Sequence, residues 1–278
     1  MKSVNINNFK ISNNRPFCLF AGPCVIESKN HTIKMAELIF KICNDLNINF
    51  VFKASFDKAN RSNLKSMRGV ELNQALDIFS EIKDLYDCPI ITDVHNEKQC
   101  EIISNSNSID VLQIPAFLCR QTDLLLAAGS TNKIINIKKG QFLSPYDMEN
   151  IIEKIISTNN DKILLTERGV SFGYNNLVSD FRSLEIMKKS GYPVIFDATH
   201  SVQEPGGLGD RSGGKKEFIP ALSRAAIAVG IAGLFIETHD DPKNAYSDGP
   251  NMIDVEDLKP LLKKLIDIDL VIKSKFKN

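Results

Sequence analysis

The sequence predicts a (β/α)₈ barrel with a short N-terminal β-hairpin closing one end. Three observations predict it. Eight short β-branched runs alternate with longer amphipathic segments over 278 residues, close to the roughly 250 that eight βα units take. The runs are nearly continuous in apolar residues, which suits parallel strands covered on both faces. No glycine-rich phosphate loop follows an early strand, as a doubly wound nucleotide-binding sheet would need. No linker or low-complexity stretch divides the chain, so residues 1–278 read as one domain, with 1–14 as the hairpin.

In chain order, the run from Val4 to Ile11 predicts a hairpin turning at Asn7 and Asn8, because Asn tolerates positive φ. Strands follow at 17–21, 50–54, 89–94, 111–114, 133–137, 162–166, 193–197 and 234–238. Between them lie helical stripes. Ile33, Ala36, Phe40 and Cys43 share one face, as do Leu72, Ala75, Phe79 and Ile82. Ser144 and Pro145 read as N-cap and first helical residue before Met148, Ile152 and Ile155. Leu258, Leu261, Leu265 and Ile268 mark a last helix.

Composition narrows the function classes. Hydrophobic residues make up 43% and charged residues 24%, as in a soluble globular protein. The 34 basic and 34 acidic side chains cancel, which argues against nucleic acid as a partner. Anion recognition must then come from local placement of Lys and Arg. The six cysteines, at 18, 24, 43, 88, 100 and 119, show no CxxC spacing. They read as free thiols in a reducing compartment, and Cys18 as an inert interior thiol. The opening residues are polar and Asn-rich, and the longest apolar stretch, 225–236, is too short to span a bilayer. A cytoplasmic protein without membrane association is expected.

Polar residues gather where the strands end: Cys24, Lys53 with Ser55, Asp93 with His95, Gln113, Lys138, Glu167 with Arg168, Asp197 with His200, and Glu237 with His239. A barrel carries its reacting groups on this carboxyl-end face, where the βα loops converge. Solvation explains one such residue but not all eight ends. Cys24, His200, Glu237 and Asp248 supply thiolate, imidazole and carboxylate, a donor set for zinc or ferrous iron, although only barrel closure brings them together. Lys53, Lys58 and Arg61 suit a carboxylate and a phosphate. Lys53, Lys138 and Arg168 adjoin apolar runs, and buried cations need anions. A small, multiply anionic substrate is expected. The glycine-rich stretch 205–214 reads as a lid or phosphate-cradling loop, and His31 as surface.

Several segments carry a resemblance: AGPCVIES (21–28), FKASFDKANRS (52–62), LQIPAFLCRQTDLL (112–125), NIKKGQF (136–142), TERGVSFGYNNLVSDFRSL (166–184), FDATHSVQEPGG (196–207) and FIETHDDPKNAYSDGP (235–250). In matching order over nearly the whole chain, they resemble the 3-deoxy-D-manno-octulosonate 8-phosphate synthases. That family consists of homotetrameric barrels joining phosphoenolpyruvate to D-arabinose 5-phosphate, for the lipopolysaccharide inner core.

The resemblance implies roles at the matching positions. Lys53, Ser55 and Lys58 would hold the phosphoenolpyruvate carboxylate. Lys138, Arg168 and the backbone at Ala116 and Phe117 would hold its phosphate. Asn60, Arg61 and Ser62 would take the aldose phosphate, with Arg120 arriving from a neighbouring subunit. Gln113 and Asp93 would line the space between the substrates. Lys53, Lys58, Asn60, Asp93, His200 and Asp248 are the catalytic candidates. Cysteine at 24 and Ser247 before Asp248 resemble the metal-dependent branch of the family, which implies zinc, iron or manganese on Cys24, His200, Glu237 and Asp248 and no organic cofactor. Asn63 departs from a serine common in the family. The rival is the related 3-deoxy-D-arabino-heptulosonate 7-phosphate synthase, which takes erythrose 4-phosphate. Its loop resembles Lys-Pro-Arg-Thr-Ser rather than the Lys-Ala-Asn-Arg-Ser found at 58–62.

Overall fold

The computed structural model describes residues 1–61, 63–207 and 212–274. Two antiparallel strands open the chain, β1 (Val4–Ile6) and β2 (Phe9–Ile11). They turn at Asn7, which takes a left-handed φ of 42°. Then β3 (Cys18–Gly22), α1 (Lys29–Leu46), β4 (Phe50–Lys53), α2 (Leu72–Tyr86), β5 (Ile90–Asp93), α3 (Glu97–Ser104), β6 (Val111–Ile114), α4 (Thr122–Ser130), β7 (Ile134–Lys138), α5 (Met148–Ile156) and β8 (Ile163–Glu167) alternate. A small ribbon of β9 (Val170–Ser171) and β10 (Leu177–Val178) precedes α6 (Arg182–Lys188) and β11 (Val194–Asp197). A second ribbon, β12 (Gln203–Glu204) with β13 (Gly213–Gly214), leads to α7 (Ile219–Val229) and β14 (Gly233–His239). The short β15 (Ile253–Asp254) and α8 (Val255–Ser274) complete the described chain.

Strands β3 through β8, β11 and β14 pair in parallel with their neighbours, and β14 returns to β3, so the sheet closes into the expected barrel. The strand limits shift from those read in the sequence by one or two residues at most. Ser144 and Pro145 begin a 3-10 turn, 145–147, that leads into α5 rather than α5 itself; there the Ser144 side chain accepts from the Tyr146 N–H, because that amide has no partner inside the turn.

The two-residue period of a strand divides the apolar residues into two cores. Leu19, Phe52, Leu112, Ile135, Leu165, Phe196 and Leu234 face the helices. Cys18, Phe20, Val51, Ile91, Val111, Ile134, Leu164, Ile195 and Phe235 fill the lumen together with Val4, Ile6 and Ile11 of the hairpin. The hairpin therefore plugs the amino end of the barrel, as expected. Asn13 holds it there: its side chain donates to Tyr192 O at 2.8 Å and accepts from Val194 N at 2.9 Å.

Each apolar lumen residue is followed two positions later by another inward one: Lys53 after Val51, Asp93 after Ile91, Gln113 after Val111, Asn136 then Lys138 after Ile134, Thr166 after Leu164, Asp197 after Ile195, Glu237 after Phe235. The lower lumen is oily and the upper lumen polar, and every one of these polar residues is buried.

Candidate active site

The polar layer begins with a hydrogen-bonded arc across five strands. Lys53 Nζ donates to Ser55 Oγ at 3.0 Å, and Ser55 Oγ donates to Asp93. Gln113 Nε2 donates to the other Asp93 oxygen, Asn136 Nδ2 to Gln113 Oε1 at 3.0 Å, and Thr166 Oγ1 to Asn136 Oδ1 at 2.6 Å. Asn136 and Thr166 were not singled out from sequence; counting back by two from Lys138 and Arg168 would have found them.

Above the arc, cations and carboxylates interlock. Lys53 Nζ lies 2.9 Å and Lys58 Nζ 3.9 Å from Glu237 Oε1. Lys138 Nζ lies 2.7 Å from Asp197 Oδ2 and 4.1 Å above the Phe235 ring. Arg168 donates through Nη2 to His200 O at 2.8 Å and to Gln203 Oε1 at 3.1 Å. Burial alone would push the Asp93, Asp197 and Glu237 carboxyls up. The facing Lys53 and Lys58 at Asp93 and Glu237, and His200 and Lys138 at Asp197, instead hold all three well below the usual carboxylate range. Burial also opposes the charge of Lys58, but Cys24, Glu237, Asp93 and Asp248 around it carry its pKa well above normal. Lys138 and Arg168 go the other way: desolvation lowers both, in spite of their carboxylate neighbours.

The expected metal ligands converge. Atoms of Cys24, Glu237 and Asp248 lie within 4.8 Å of one another, with Cys24 Sγ 3.1 Å from Asp248 Oδ2. His200 Nε2 lies 3.7 Å from Glu237 Oε2 and 3.9 Å from Asp248 Oδ2. Local sequence explains each position. Gly22 permits the close approach of β3 to β4 beneath Cys24, since a Cβ there would stand 1.9 Å from Lys53 O. Register sets Glu237 beside Gly22. Asp248 adopts φ 52°, a left-handed conformation that Asp tolerates, ahead of Gly249 and Pro250. His200 Nδ1 sits 2.7 Å from Asp197 Oδ2, which assigns the proton to Nδ1 and leaves the Nε2 lone pair facing the cluster.

A divalent cation fits this arrangement. Glu237 Oε2 is buried with no hydrogen-bond partner among the described residues and faces a thiol, an imidazole lone pair and a second carboxylate, the donor set of zinc and ferrous iron. Burial, then Asp248 and Glu237, push the Cys24 thiol up; a bound dication would favour the thiolate instead.

A cavity of about 720 Å³ opens above, lined by Lys58, Asn60, Arg61, Phe117, Arg168 and His200 among others. Ala116 is buried on the short turn after β6. Arg61 holds Ser247 Oγ at 2.7 Å and Tyr246 O at 2.9 Å, at the cavity mouth. Arg120 is exposed and does not line its own chain's cavity. Ser62 lies outside the described residues, as do 208–211 of the expected lid; the two ends of that loop pair as the β12–β13 ribbon.

Two readings differ from the sequence. Glu167 turns outward, where it accepts from Ser183 Oγ and from the Arg168 and Gly169 amides, so it shapes the turn under Arg168 rather than lining the mouth. His31 is not simply surface. Its ring centroid lies 4.4 Å from that of His239, and its Nε2 lies 3.0 Å from Asp240 Oδ1. Glu27, His31 and His239 also bring three ligand atoms within 4.8 Å. In that group His239 Nδ1 accepts from the Asp241 amide, so Nε2 keeps its proton and donates to Glu27, which also accepts from the Tyr246 amide, while His31 Nδ1 is buried without a hydrogen-bond partner among the described residues. Gln203 was missed from sequence, because an uncharged residue beyond a strand end gave no signal.

Residues 2–274 match the DAHP synthetase I family. The chain is similar to 2-dehydro-3-deoxyphosphooctonate aldolases from Bartonella henselae, at 55% identity over 97% of this chain and 96% of the relative. Those of Geotalea uraniireducens, 55% over 98% and 100%, and Brucella anthropi, 55% over 98% and 97%, are equally similar.

Proposed function

The chain belongs to the DAHP synthetase I family, and from that premise we propose that it condenses phosphoenolpyruvate with D-arabinose 5-phosphate and water. The products are 3-deoxy-D-manno-octulosonate 8-phosphate, a precursor of the lipopolysaccharide core, and inorganic phosphate. The observation that carries this reading is a layer of cations, with Lys58 and Arg168 lining one cavity and Lys53 and Lys138 buried in the polar layer with them, in a chain 55% identical over nearly full length to 2-dehydro-3-deoxyphosphooctonate aldolases. The names of these relatives favour the eight-carbon product over the seven-carbon rival.

Carbon 3 of phosphoenolpyruvate forms the new bond to the aldehyde carbon, water adds at carbon 2, and phosphate leaves with its bridging oxygen by C–O cleavage. Lys53, Ser55 and Lys58 bind the carboxylate. Lys138, Arg168 and the Ala116–Phe117 backbone bind the phosphate and stabilise the charge it gathers on leaving. Because Lys138 and Arg168 are buried, their attraction for the phosphate is weakly screened by solvent. Asn60, Arg61 and Ser62 take the acceptor's phosphate, and the Asp93–Gln113 pair lines the space between the substrates. A zinc, iron or manganese ion held by Cys24, His200, Glu237 and Asp248 would act as a Lewis acid toward the acceptor's carbonyl oxygen or a water. Asp197 fixes the His200 ring for that task.

The active form we infer is a cytoplasmic homotetramer in which a neighbour's Arg120 completes the acceptor site. Six buried, unpaired thiols support the compartment. Exposed Phe117, Phe142 and Phe172 support the assembly. No helix of the described residues is long and apolar enough to cross a membrane.

The test is phosphate release with each substrate alone and with both. Release is expected only with both, to stop on chelation, and to return with zinc, iron or manganese. Faster release with erythrose 4-phosphate than with arabinose 5-phosphate would transfer the assignment to the rival.

A further inference from the structure

Asp248 uses its two carboxylate oxygens differently. Oδ2 faces Cys24 Sγ at 3.1 Å and His200 Nε2 at 3.9 Å. Oδ1 is turned the other way and accepts from Gln203 Nε2 at 3.0 Å. The opposite end of that amide, Gln203 Oε1, accepts from Arg168 Nη2 at 3.1 Å, and the same nitrogen donates to His200 O at 2.8 Å. The short chain Arg168–Gln203–Asp248 thus joins the phosphate-binding cation to a metal-binding carboxylate. Both ends of the amide are used in the one orientation that satisfies both partners, since an amide flip would set its NH₂ against guanidinium and its oxygen against carboxylate. Backbone supports the placement: Gln203 begins β12, which pairs with Gly214, and a Cβ on Gly214 would stand 1.3 Å from Asn251 Oδ1 in the turn that follows Asp248. The loop carrying Gln203 is packed directly on the loop carrying Asp248.

We propose that Gln203 is a positioning residue that holds Asp248 Oδ2 toward the metal ligands and makes metal binding and phosphoenolpyruvate binding interdependent. The inference rests on the metal reading above. Asp248 sits on a loop with a left-handed φ, so no strand fixes its carboxylate torsion; the shorter hydrogen bond, from Gln203 to Oδ1 at 3.0 Å, does so together with the longer one from Ser247 Oγ to Oδ2 at 3.3 Å. When a phosphate engages Arg168, the Arg168–Gln203 bond is perturbed and the effect reaches Asp248 through one side chain. By linkage, metal must then alter phosphoenolpyruvate affinity by the same factor.

Cobalt(II) titration of the full-length protein tests this without turnover, read by the thiolate-to-cobalt charge-transfer absorbance. Gln203→Met keeps the length and bulk of the side chain and removes both hydrogen bonds; Gln203→Ala is the second variant. Both are expected to weaken cobalt binding roughly 10- to 100-fold, the usual cost of losing a partner behind a ligand, with the melting temperature of the metal-free protein unchanged. Phosphoenolpyruvate is expected to change the wild-type cobalt dissociation constant roughly fivefold or more and to leave that of Gln203→Met nearly constant. Wild-type cobalt affinity in Gln203→Met, a parallel loss of metal-free stability in both variants, or an equal phosphoenolpyruvate effect in all three proteins overturns the proposal. Absence of the band in the wild type, with Cys24→Ser indistinguishable from it, removes the metal reading and this inference together. The two-substrate requirement for phosphate release is measured separately and stands or falls by itself.

Discussion

Lys138 shows how one residue type acquires a role from its neighbours. Its ammonium is buried, lowered by desolvation, and held charged chiefly by Asp197 at 2.7 Å. In the proposed reaction its charge would matter most as phosphate departs, so Lys138→Ala is expected to lower kcat roughly 100- to 1000-fold in the phosphate-release assay, with folding intact by circular dichroism. Asp240 illustrates the opposite case, a partly exposed carboxylate with a structural task. Burial would raise its pKa, but Lys34 and His31 hold it down to about 2. Its folded value lies below the roughly 3.9 of an unfolded Asp, so its stabilisation is complete above that pH and fades as pH falls toward 2. Asp240→Asn is expected to melt lower than wild type at pH 7, with the gap closing by about pH 2; a constant gap would contradict the ion pairing.

The N-terminal hairpin is the element whose role extends furthest beyond its own residues. Three residues per strand cannot form a stable sheet alone; Val4, Ile6 and Ile11 stay in place because they fill the lumen. Ile11→Ala, at 1% exposure, is expected to cost about 2–4 kcal/mol in denaturant unfolding. The site should lose little activity, since the hairpin seals the far end. A fall in activity larger than the fall in stability would show that the plug reaches the polar layer.

At the scale of the molecule, barrel closure makes one polar layer from eight separate strand ends. The arc from Lys53 to Thr166 is satisfied only while its strands keep their register. Asn136→Leu removes two of its links and leaves Gln113 Oε1 and Thr166 Oγ1 buried without that partner, which is expected to cost about 1–3 kcal/mol and to raise KM for phosphoenolpyruvate as Asp93 loosens. Assembly is the other property of the whole. Sedimentation is expected to give four times the 31.0 kDa of one chain, and Arg120→Ala to raise KM for the aldose without altering that mass.

Much of this was legible in the chain alone. Apolar continuity placed eight strands to within a residue or two, because parallel strands buried on both faces leave little choice of residue. Charges at strand ends marked the mouth, because such residues are costly to bury without a purpose. Direction and partnership were not legible. Glu167 and Arg168 are adjacent in sequence yet serve opposite faces, since successive strand residues alternate sides. His31 meets His239 across more than two hundred residues. Gln203, a neutral amide in a loop, acquires meaning only between Arg168 and Asp248. Local propensity and burial act on neighbours along the chain and so are written in sequence. Which donor meets which acceptor depends on closure and register, and those exist only once the barrel has formed.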